Sequence, residues 1–280
     1  MKKNYTLIGH NLKHTVSPEI HSRLFQLSES NSEYNVTDIS EDMLTLKYPE
    51  LKRLSGYNIT IPHKVKIIPL LEKLDESARR YGAVNCVSNI GGISTGFNTD
   101  AFGFVKALEA ERLSLSGEIL LLGFGGAGRV MAAEACHKGA KLTIAVREQS
   151  VKKVSQEALK IKSISPECKI TVLPLDKISG EFSLLINSTP VGMYPHYDEC
   201  PVSDTVIKRC ENVFDAIYNP VETVLIKKAR AFQKKAVGGM SMLIWQAVAA
   251  HQIWDNAEYE LAVIQRIIKD MEEKVERDFR

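Results

Sequence analysis

The feature that most constrains this chain is a glycine-rich turn between a buried strand and a helix. Residues 118–123 carry the apolar run that is typical of a strand in a parallel sheet. The turn GFGGAG (residues 123–128) follows at once, and a helix over Arg129–His137 and a second strand from Leu142 are predicted after it. A turn of the form G-x-G-x-x-G in this order of strand, helix and strand predicts a dinucleotide-binding site.

The chemistry of a pyrophosphate explains why these residue types stand in the turn. The first glycine permits the sharp turn, the second lets the backbone approach the phosphates, and the third allows the helix to pack closely on the strand. The start of the helix adds free N–H groups and the positive end of the helix dipole. The predicted cofactor-binding residues of the turn are Gly123, Phe124, Gly125, Gly126 and Ala127. The alternative is a turn whose glycines serve packing alone.

The identity of the cofactor depends on the residues that follow the second strand. An NAD site usually presents a carboxylate there, whereas an arginine suits the 2′-phosphate of NADP. Arg147 favours NADP, and Lys152 and Lys153 follow shortly after it. Glu148 opposes it, because a carboxylate repels a phosphate. We therefore expect NADP and keep NAD as the less favoured alternative.

The rest of the chain alternates strand-like and helix-like segments, which predicts an α/β fold. Its 280 residues exceed one average domain, so two domains are expected. We predict an N-terminal α/β domain over residues 1–101 that binds substrate and is completed by C-terminal helices over 239–280. A Rossmann-type parallel-sheet cofactor domain is predicted over residues 102–238.

Composition excludes several classes of partner. The formal net charge is +2, from 36 basic and 34 acidic residues, which does not predict nucleic-acid or membrane binding. Apolar runs stay short of the roughly 18–20 residues that span a bilayer. The five cysteines are odd in number and widely spaced, which argues against a disulfide framework or a metal site. We expect a soluble cytoplasmic protein, either a monomer or a homodimer, with a small-molecule substrate.

Polar residues cluster near the ends of predicted strands in the first domain. Thr15 and Ser17 lie just beyond the first strand, where Ser17 is also a candidate helix cap. Lys64 follows a strand that Pro62 stops, and Asp100 follows the second strand of a predicted hairpin. In open α/β sheets such strand ends border the ligand crevice.

Eight short motifs, taken together, resemble those of the shikimate dehydrogenase family. They are H-[ST]-x-S-P, N-[VI]-T-[VI]-P-x-K, G-A-V-N, G-x-N-T-D-x-x-G, G-x-G-G-A, N-[SA]-T-P-x-G, D-x-x-Y and M-L-x-x-Q. All occur here in the family's order, between His14 and Gln246. Each motif is common alone, but eight in register are specific.

The resemblance implies the NADPH-dependent reduction of 3-dehydroshikimate to shikimate, a step toward chorismate and the aromatic amino acids. It makes Lys64 and Asp100 the catalytic pair, in which an ammonium stabilises the developing oxyanion and delivers the proton. Thr15 and Ser17 would bind the substrate carboxylate. The full set of implied substrate-binding positions is Thr15, Ser17, Thr60, Asn85, Asp100, Tyr218 and Gln246.

The resemblance also implies cofactor contacts outside the glycine-rich turn. These positions are Arg147, Thr189, Met193, Ala216, Gly239 and Glu76. The family's N-R-T after the second cofactor strand is Val146-Arg147-Glu148 here, so only the arginine is retained. Thr15 replaces the more common serine, and threonine in this pair also occurs in relatives that accept quinate.

Three alternative functions stay open at this point. The nearest is an NAD-dependent quinate/shikimate dehydrogenase, which Thr15 and Glu148 would suit. The second is a non-catalytic ligand sensor on the same fold, which the presence of both Lys64 and Asp100 argues against. The third, a folate- or tRNA-linked reductase that shares only the cofactor domain, is disfavoured by the motifs of the first domain.

Overall fold

The computed structural model describes residues 2–12 and 15–278 and divides into two compact units. Unit 1 comprises the chain up to Gly103 together with Ile244–Met271. Unit 2 comprises Phe104–Leu243 together with the chain from Glu272 onward. The assignment of substrate to one segment and cofactor to the other stays a prediction.

Unit 1 is built on a mixed sheet of six strands. Its elements are β1 (Lys3–Gly9), α1 (Ser17–Leu27), β2 (Ser32–Asp38), α2 (Leu44–Leu51), β3 (Gly56–Ile59), α3 (His63–Lys66), β4 (Lys73–Leu74), α4 (Glu76–Tyr81), β5 (Cys86–Ile90) and β6 (Ile93–Phe97). The strand order is β2-β1-β3-β5-β6-β4. Strand β5 runs antiparallel to both of its neighbours, β3 and β6, and the other neighbouring pairs are parallel. A hairpin joins β5 to β6 at Gly91 and Gly92, whose positive φ angles the tight turn requires.

Unit 2 is built on a parallel sheet with the strand order of a Rossmann fold. Its elements are β7 (Glu118–Leu122), α6 (Gly126–His137), β8 (Lys141–Val146), α7 (Val151–Ile164), β9 (Lys169–Pro174), β10 (Phe182–Asn187), α8 (Asp204–Lys208), β11 (Cys210–Asp215), α9 (Val224–Ala231) and β12 (Lys235–Val237). The order is β12-β11-β10-β7-β8-β9 and every neighbouring pair is parallel. The predicted fold class is therefore confirmed, and the order reverses beside β7, where such sheets bind ligands.

Three further helices have residues in both units: α5 (Asp100–Ala110), α10 (Met240–Asp255) and α11 (Leu261–Asp278). The part of α10 in unit 1 packs on the sheet of that unit. The ring of Trp254 stacks on Tyr5 at 4.3 Å between centroids, and its Nε1 donates to the Val87 carbonyl at 2.9 Å. This packing fixes the helix that carries Gln246.

Two details of the sequence interpretation are corrected. Ser17 is not the cap of α1, because the helix already begins at Ser17 and Val16 precedes it with helical backbone angles. Cys136 and Cys168 form a disulfide, with their Cα atoms 5.2 Å apart. The chain folds back between the end of α6 and the start of β9, which brings the two cysteines together. Because they are 32 residues apart in the sequence, no local pattern predicted this pairing.

The search for membrane spans covered the described part of the chain. Within residues 2–12 and 15–278, every helix is too short or too polar to cross a bilayer.

Gly56 lies where Trp254 of α10 packs on the sheet of unit 1, and its replacement tests that packing. A Cβ at this position would lie 2.5 Å from Nε1 of Trp254 and 2.6 Å from the Val87 carbonyl oxygen. We therefore expect Gly56→Ala to lower the free energy of unfolding by about 1–3 kcal/mol, measured by urea denaturation. Ser55→Ala, one residue earlier, is the control and should stay within about 0.5 kcal/mol. Equal stability of the two variants would contradict this packing.

Candidate active site

Lys64 and Asp100 form an ion pair in unit 1. The Nζ atom of Lys64 lies 2.6 Å from Oδ2 of Asp100, and the side chains are 18% and 4% exposed. Lys64 lies in α3, directly after the turn at the cis Ile61–Pro62 bond. Asp100 is the first residue of α5. Two segments 36 residues apart thus place an ammonium against a nearly buried carboxylate.

The amide of Asn85 organises the other side of that carboxylate. Its Nδ2 donates to Oδ1 of Asp100 at 2.9 Å, and its Oδ1 accepts from the backbone N–H of Thr99 at 2.7 Å. Because a backbone N–H can only donate, the orientation of the Asn85 amide is fixed. The Oε1 atom of Gln246 lies 3.3 Å from the same Nδ2. The structure therefore brings together Lys64, Asn85, Asp100 and Gln246, as the resemblance implies.

Two supporting residues were missed at the sequence level. The buried Asn98 accepts from the backbone N–H of Asp100 at 3.1 Å and donates to the Ala83 carbonyl at 3.0 Å. Thr99 holds Asn85 through its backbone and also accepts from its Nδ2 at 3.0 Å. Both residues belong to the N-T-D sequence next to Asp100, so that adjacency was the available signal.

The remaining substrate-side candidates of unit 1 lie at the ends of neighbouring strands. Thr15 and Ser17 pair with each other, since the Thr15 hydroxyl donates to the Ser17 hydroxyl at 3.0 Å. His14, which opens their motif, lies outside the described residues. Thr60 is half-buried directly after β3.

A buried pair of histidines joins the helices that carry Ser17 and Gln246. Nδ1 of His21, on α1, lies 3.0 Å from Nε2 of His251, on α10. Burial lowers the pKa of both imidazoles, that of His251 to about 4, so the pair is neutral near pH 7. The hydrogen bond holds the two helices together one turn from the candidate substrate residues.

In unit 2 the glycine-rich turn has the shape that a pyrophosphate requires. Gly123 has a φ of 86°, which favours glycine. A Cβ on Gly128 would lie 2.5 Å from Oγ of Ser188, so only glycine lets α6 approach β10. Gly125 and Gly126 are exposed, and a Cβ on either would meet open space. The start of α6 is thus exposed and uncrowded, which fits a dinucleotide phosphate at a helix N-terminus.

The residues that were expected to distinguish NADP from NAD follow β8. Arg147 and Glu148 are both exposed, and Glu148 opens a short 3₁₀ turn. Lys152 and Lys153 are exposed in the first turn of α7. The segment after β8 thus has three exposed cations and one exposed carboxylate.

The other candidate cofactor residues lie in several places. Thr189, Ala216 and Gly239 are close to one another in unit 2: Thr189 follows β10, Ala216 follows β11, and Gly239 N–H donates to the Ile217 carbonyl at 2.9 Å. A Cβ on Gly239 would collide with the carbonyl of Ala216. Met193, four residues after Thr189, is exposed.

Tyr218 and Glu76 complete the set of predicted site residues. Tyr218 lies in unit 2, and burial raises the pKa of its phenol, so the hydroxyl remains a donor near neutral pH. Glu76 lies in unit 1, where it is the exposed first residue of α4 and pairs with Arg80 at 2.9 Å.

Comparisons with known proteins give a consistent result. The family model for the shikimate dehydrogenase substrate binding domain matches residues 7–87. A protein named shikimate dehydrogenase (NADP(+)) from Methanococcus maripaludis is 36% identical over 94% of this chain and 95% of its own. A solved chorismate mutase/shikimate 5-dehydrogenase fusion protein from Clostridium acetobutylicum is 31% identical with a TM-score of 0.87, covering 99% of this chain and 100% of that one. A solved shikimate dehydrogenase in complex with NADP+ is 34% identical with a TM-score of 0.86, covering 96% of each.

Asn85→Asp tests the orientation of the amide through stability alone. The change puts a second carboxyl group where an N–H now donates to Asp100, so one of the two pKa values must rise above its unfolded value. A raised acid pKa stabilises the fold at low pH, and that stability is lost as pH rises through it. We expect Asn85→Asp to lose about 2 kcal/mol more at pH 8 than at pH 5, measured by urea denaturation.

Asn35→Asp is the matched control, because it makes the same change at an exposed position on β2. Its stability relative to the parent should be the same at both pH values. A pH-independent loss in Asn85→Asp would mean that the amide does not face Asp100.

Proposed function

Because this chain belongs to the shikimate dehydrogenase family, we propose that it reduces 3-dehydroshikimate to shikimate with NADPH, and catalyses the reverse reaction with NADP+. The observation that carries the proposal is the hydrogen bond of 2.6 Å between Lys64 and Asp100 in a largely buried setting. Surface lysines also pair with carboxylates, as Lys228 does with Asp204 at 2.6 Å, but those two side chains are 40% and 50% exposed, so burial distinguishes the Lys64–Asp100 pair. The step belongs to the biosynthesis of chorismate and the aromatic amino acids.

Lys64 is proposed as the proton donor of the reduction. When bound, NADPH supplies the hydride that the carbonyl carbon receives. Negative charge then develops on the carbonyl oxygen, where the Lys64 ammonium stabilises it and transfers a proton to it. Asp100 keeps the lysine oriented, while Asn85 holds Asp100 in place. In the reverse direction the same amine accepts the proton of the hydroxyl.

The ring is proposed to be recognised by hydroxyls and amides around this pair. Thr15 and Ser17 supply two hydroxyl donors for the substrate carboxylate. Thr60, Asn85 and Gln246 bind the ring hydroxyls, for which amides suit because they both donate and accept. Tyr218 adds a phenolic donor.

The cofactor is proposed to bind unit 2. The open surface over Gly125 and Gly126 would receive the pyrophosphate, and Arg147 the 2′-phosphate. Thr189, Met193, Ala216 and Gly239 would border the nicotinamide half, with Phe124 and Ala127 in the turn itself. Glu76 is proposed as a further contact from unit 1.

The substrate range is tested by one set of rate measurements. Initial rates with shikimate or quinate, each with NADP+ or NAD+, separate the proposed enzyme from an NAD-dependent quinate/shikimate dehydrogenase. Highest kcat/KM for shikimate with NADP+ is expected. Absence of turnover in all four combinations would favour a non-catalytic ligand sensor instead.

The setting of the enzyme is part of the proposal. We propose a cytoplasmic protein that is a monomer or a homodimer and acts on small molecules rather than on nucleic acid. The near balance of 36 basic and 34 acidic residues supports the last point, that the partner is not nucleic acid. Sedimentation analysis of the purified chain distinguishes the two oligomeric states.

The role of Lys64 is tested by its removal. We expect Lys64→Ala to lower kcat by about 10²- to 10⁴-fold, the range of general acid catalysis, while KM for shikimate changes far less. Steady-state kinetics at saturating NADP+ give both values. Lys66→Ala, in the same helix and paired with Glu41 at the surface, is the control and should keep parental kcat. Near-normal kcat in Lys64→Ala would rule out the assigned role.

The choice between cofactors is tested at the two residues after β8. Arg147→Ala should raise KM for NADP+ about tenfold or more and leave KM for NAD+ nearly unchanged, because only NADP+ has a 2′-phosphate. Glu148→Gln should lower KM for NADP+, since it removes a repelling charge. Lys138→Ala, which removes an exposed cation after the opposite end of α6, is the control. Equal effects of Arg147→Ala on both cofactors would contradict the phosphate contact.

A further inference from the structure

Asp215 is a buried carboxylate in unit 2 that the proposed reaction does not use. It ends β11, is 0% exposed, and is the first residue of the D-x-x-Y motif. Burial raises its pKa to about 6. Its three hydrogen-bond donors, the amide of Asn187, the backbone N–H of Ile217 and the hydroxyl of Thr223, are all neutral. A buried carboxylate held by neutral donors is costly, so its position calls for a reason.

One side of this carboxylate holds the turn that follows β10. Nδ2 of Asn187 donates to Oδ1 of Asp215 at 3.0 Å, which turns the amide oxygen toward Thr189. That oxygen accepts from the Thr189 backbone N–H at 3.0 Å and from the Thr189 hydroxyl at 2.7 Å. The hydroxyl in turn accepts from the N–H of Val191 at 3.3 Å. The conformation of residues 187–191 thus depends on the direction in which Asp215 holds the Asn187 amide.

Oδ1 of Asp215 also holds the segment that follows β11. Oδ1 accepts from the N–H of Ile217 at 3.1 Å, between Ala216 and Tyr218. The Ile217 carbonyl then accepts from Gly239 N–H at 2.9 Å. One carboxylate oxygen therefore joins residues 216–218 and Gly239 to the 187–191 turn, in addition to the backbone hydrogen bond from Ala216 N–H to the Asn187 carbonyl at 2.9 Å.

The second oxygen, Oδ2, ties the group to a helix. It accepts from the hydroxyl of Thr223 at 2.7 Å, and that hydroxyl caps α9 by accepting from Ile226 N–H at 3.2 Å. Asn187, Asp215 and Thr223 are each at most 1% exposed. The network is therefore shielded from solvent and has one arrangement that satisfies every donor.

We propose that Asp215 is a positioning residue for cofactor binding, which sets the Thr189 turn and the Ala216–Tyr218 segment through Asn187 and Ile217. This inference rests on the proposed function, because it takes those two segments as the border of the nicotinamide half. Asp215 acts through them and not by contact with a ligand. A carboxylate suits this position because its two oxygens accept from three donors that lie on different segments.

The test measures cofactor affinity separately from turnover. We expect Asp215→Ala to raise the Kd for NADP+, measured by titration calorimetry on the full chain, at least tenfold. KM for NADP+, at saturating shikimate, should rise in the same proportion as the Kd. Asp215→Asn keeps an oxygen at the Oδ1 position for both donors and should restore the Kd to within about threefold.

Asn187→Ala provides a second route to the same result and does not require that Asp215→Ala fold. If Asp215 acts through Asn187, this variant should raise the Kd for NADP+ similarly. The double variant Asp215→Ala/Asn187→Ala should then have a Kd for NADP+ within twofold of that of the weaker-binding single variant. Val206→Ala, a buried truncation in α8 of the same unit, is the stability control and should lower Tm without changing the Kd.

The possible outcomes separate the two proposals. A parent that neither binds NADP+ nor turns over shikimate refutes the proposed function itself. A parent that does both, with Asp215→Ala and Asn187→Ala binding NADP+ within twofold of it, refutes only the positioning role. A Kd that rises equally in Val206→Ala, or that Asp215→Asn fails to restore, also refutes it.

Discussion

The structure depends on one constraint: the oxygens of a buried carboxylate need hydrogen-bond donors from the protein to replace the water they lose on folding. Asp100 meets it with the ammonium of Lys64 on Oδ2 and the amide of Asn85 on Oδ1. Those donors come from different segments of the chain, so satisfying the carboxylate also brings the segments together. The site of unit 1 is in this sense a consequence of burying Asp100.

The same arrangement occurs a second time, around Asp215. In each unit an asparagine Nδ2 donates to Oδ1 of an aspartate, at 2.9 Å from Asn85 and 3.0 Å from Asn187. In each, the asparagine oxygen accepts from a threonine backbone N–H, that of Thr99 or Thr189. The difference is the last partner. Asp100 contacts the ammonium of Lys64, which suits the proposed proton transfer in unit 1. Asp215 contacts the Thr223 hydroxyl that caps α9, which suits the proposed positioning role in unit 2.

The sequence predicted what local patterns encode and missed what distant contacts decide. The G-x-G-x-x-G turn lies between a strand and a helix that are contiguous with it, so a Rossmann-type parallel sheet in unit 2 could be predicted from local pattern. The order of its strands came from the structure. The approach of Lys64 to Asp100 was expected only from a resemblance, and the roles of both residues stay predictions. Asn98 was assigned no role because its hydrogen bond to the Ala83 carbonyl reaches 15 residues back along the chain. The disulfide of Cys136 had the same cause, since its partner lies in another element.

The return of the chain to unit 1 after unit 2 has a physical explanation in α10. That helix contributes Gln246 to the group around Asn85, but a single hydrogen bond of 3.3 Å could not hold a helix in place. The stacking of Trp254 on Tyr5 and the pairing of His251 with His21 bury one face of the helix and provide the missing stability. Packing therefore fixes the helix, and the polar contact only orients the side-chain amide of Gln246. A substrate-side amide can thus be held on a segment far along the chain, provided that the packing beside it is strong.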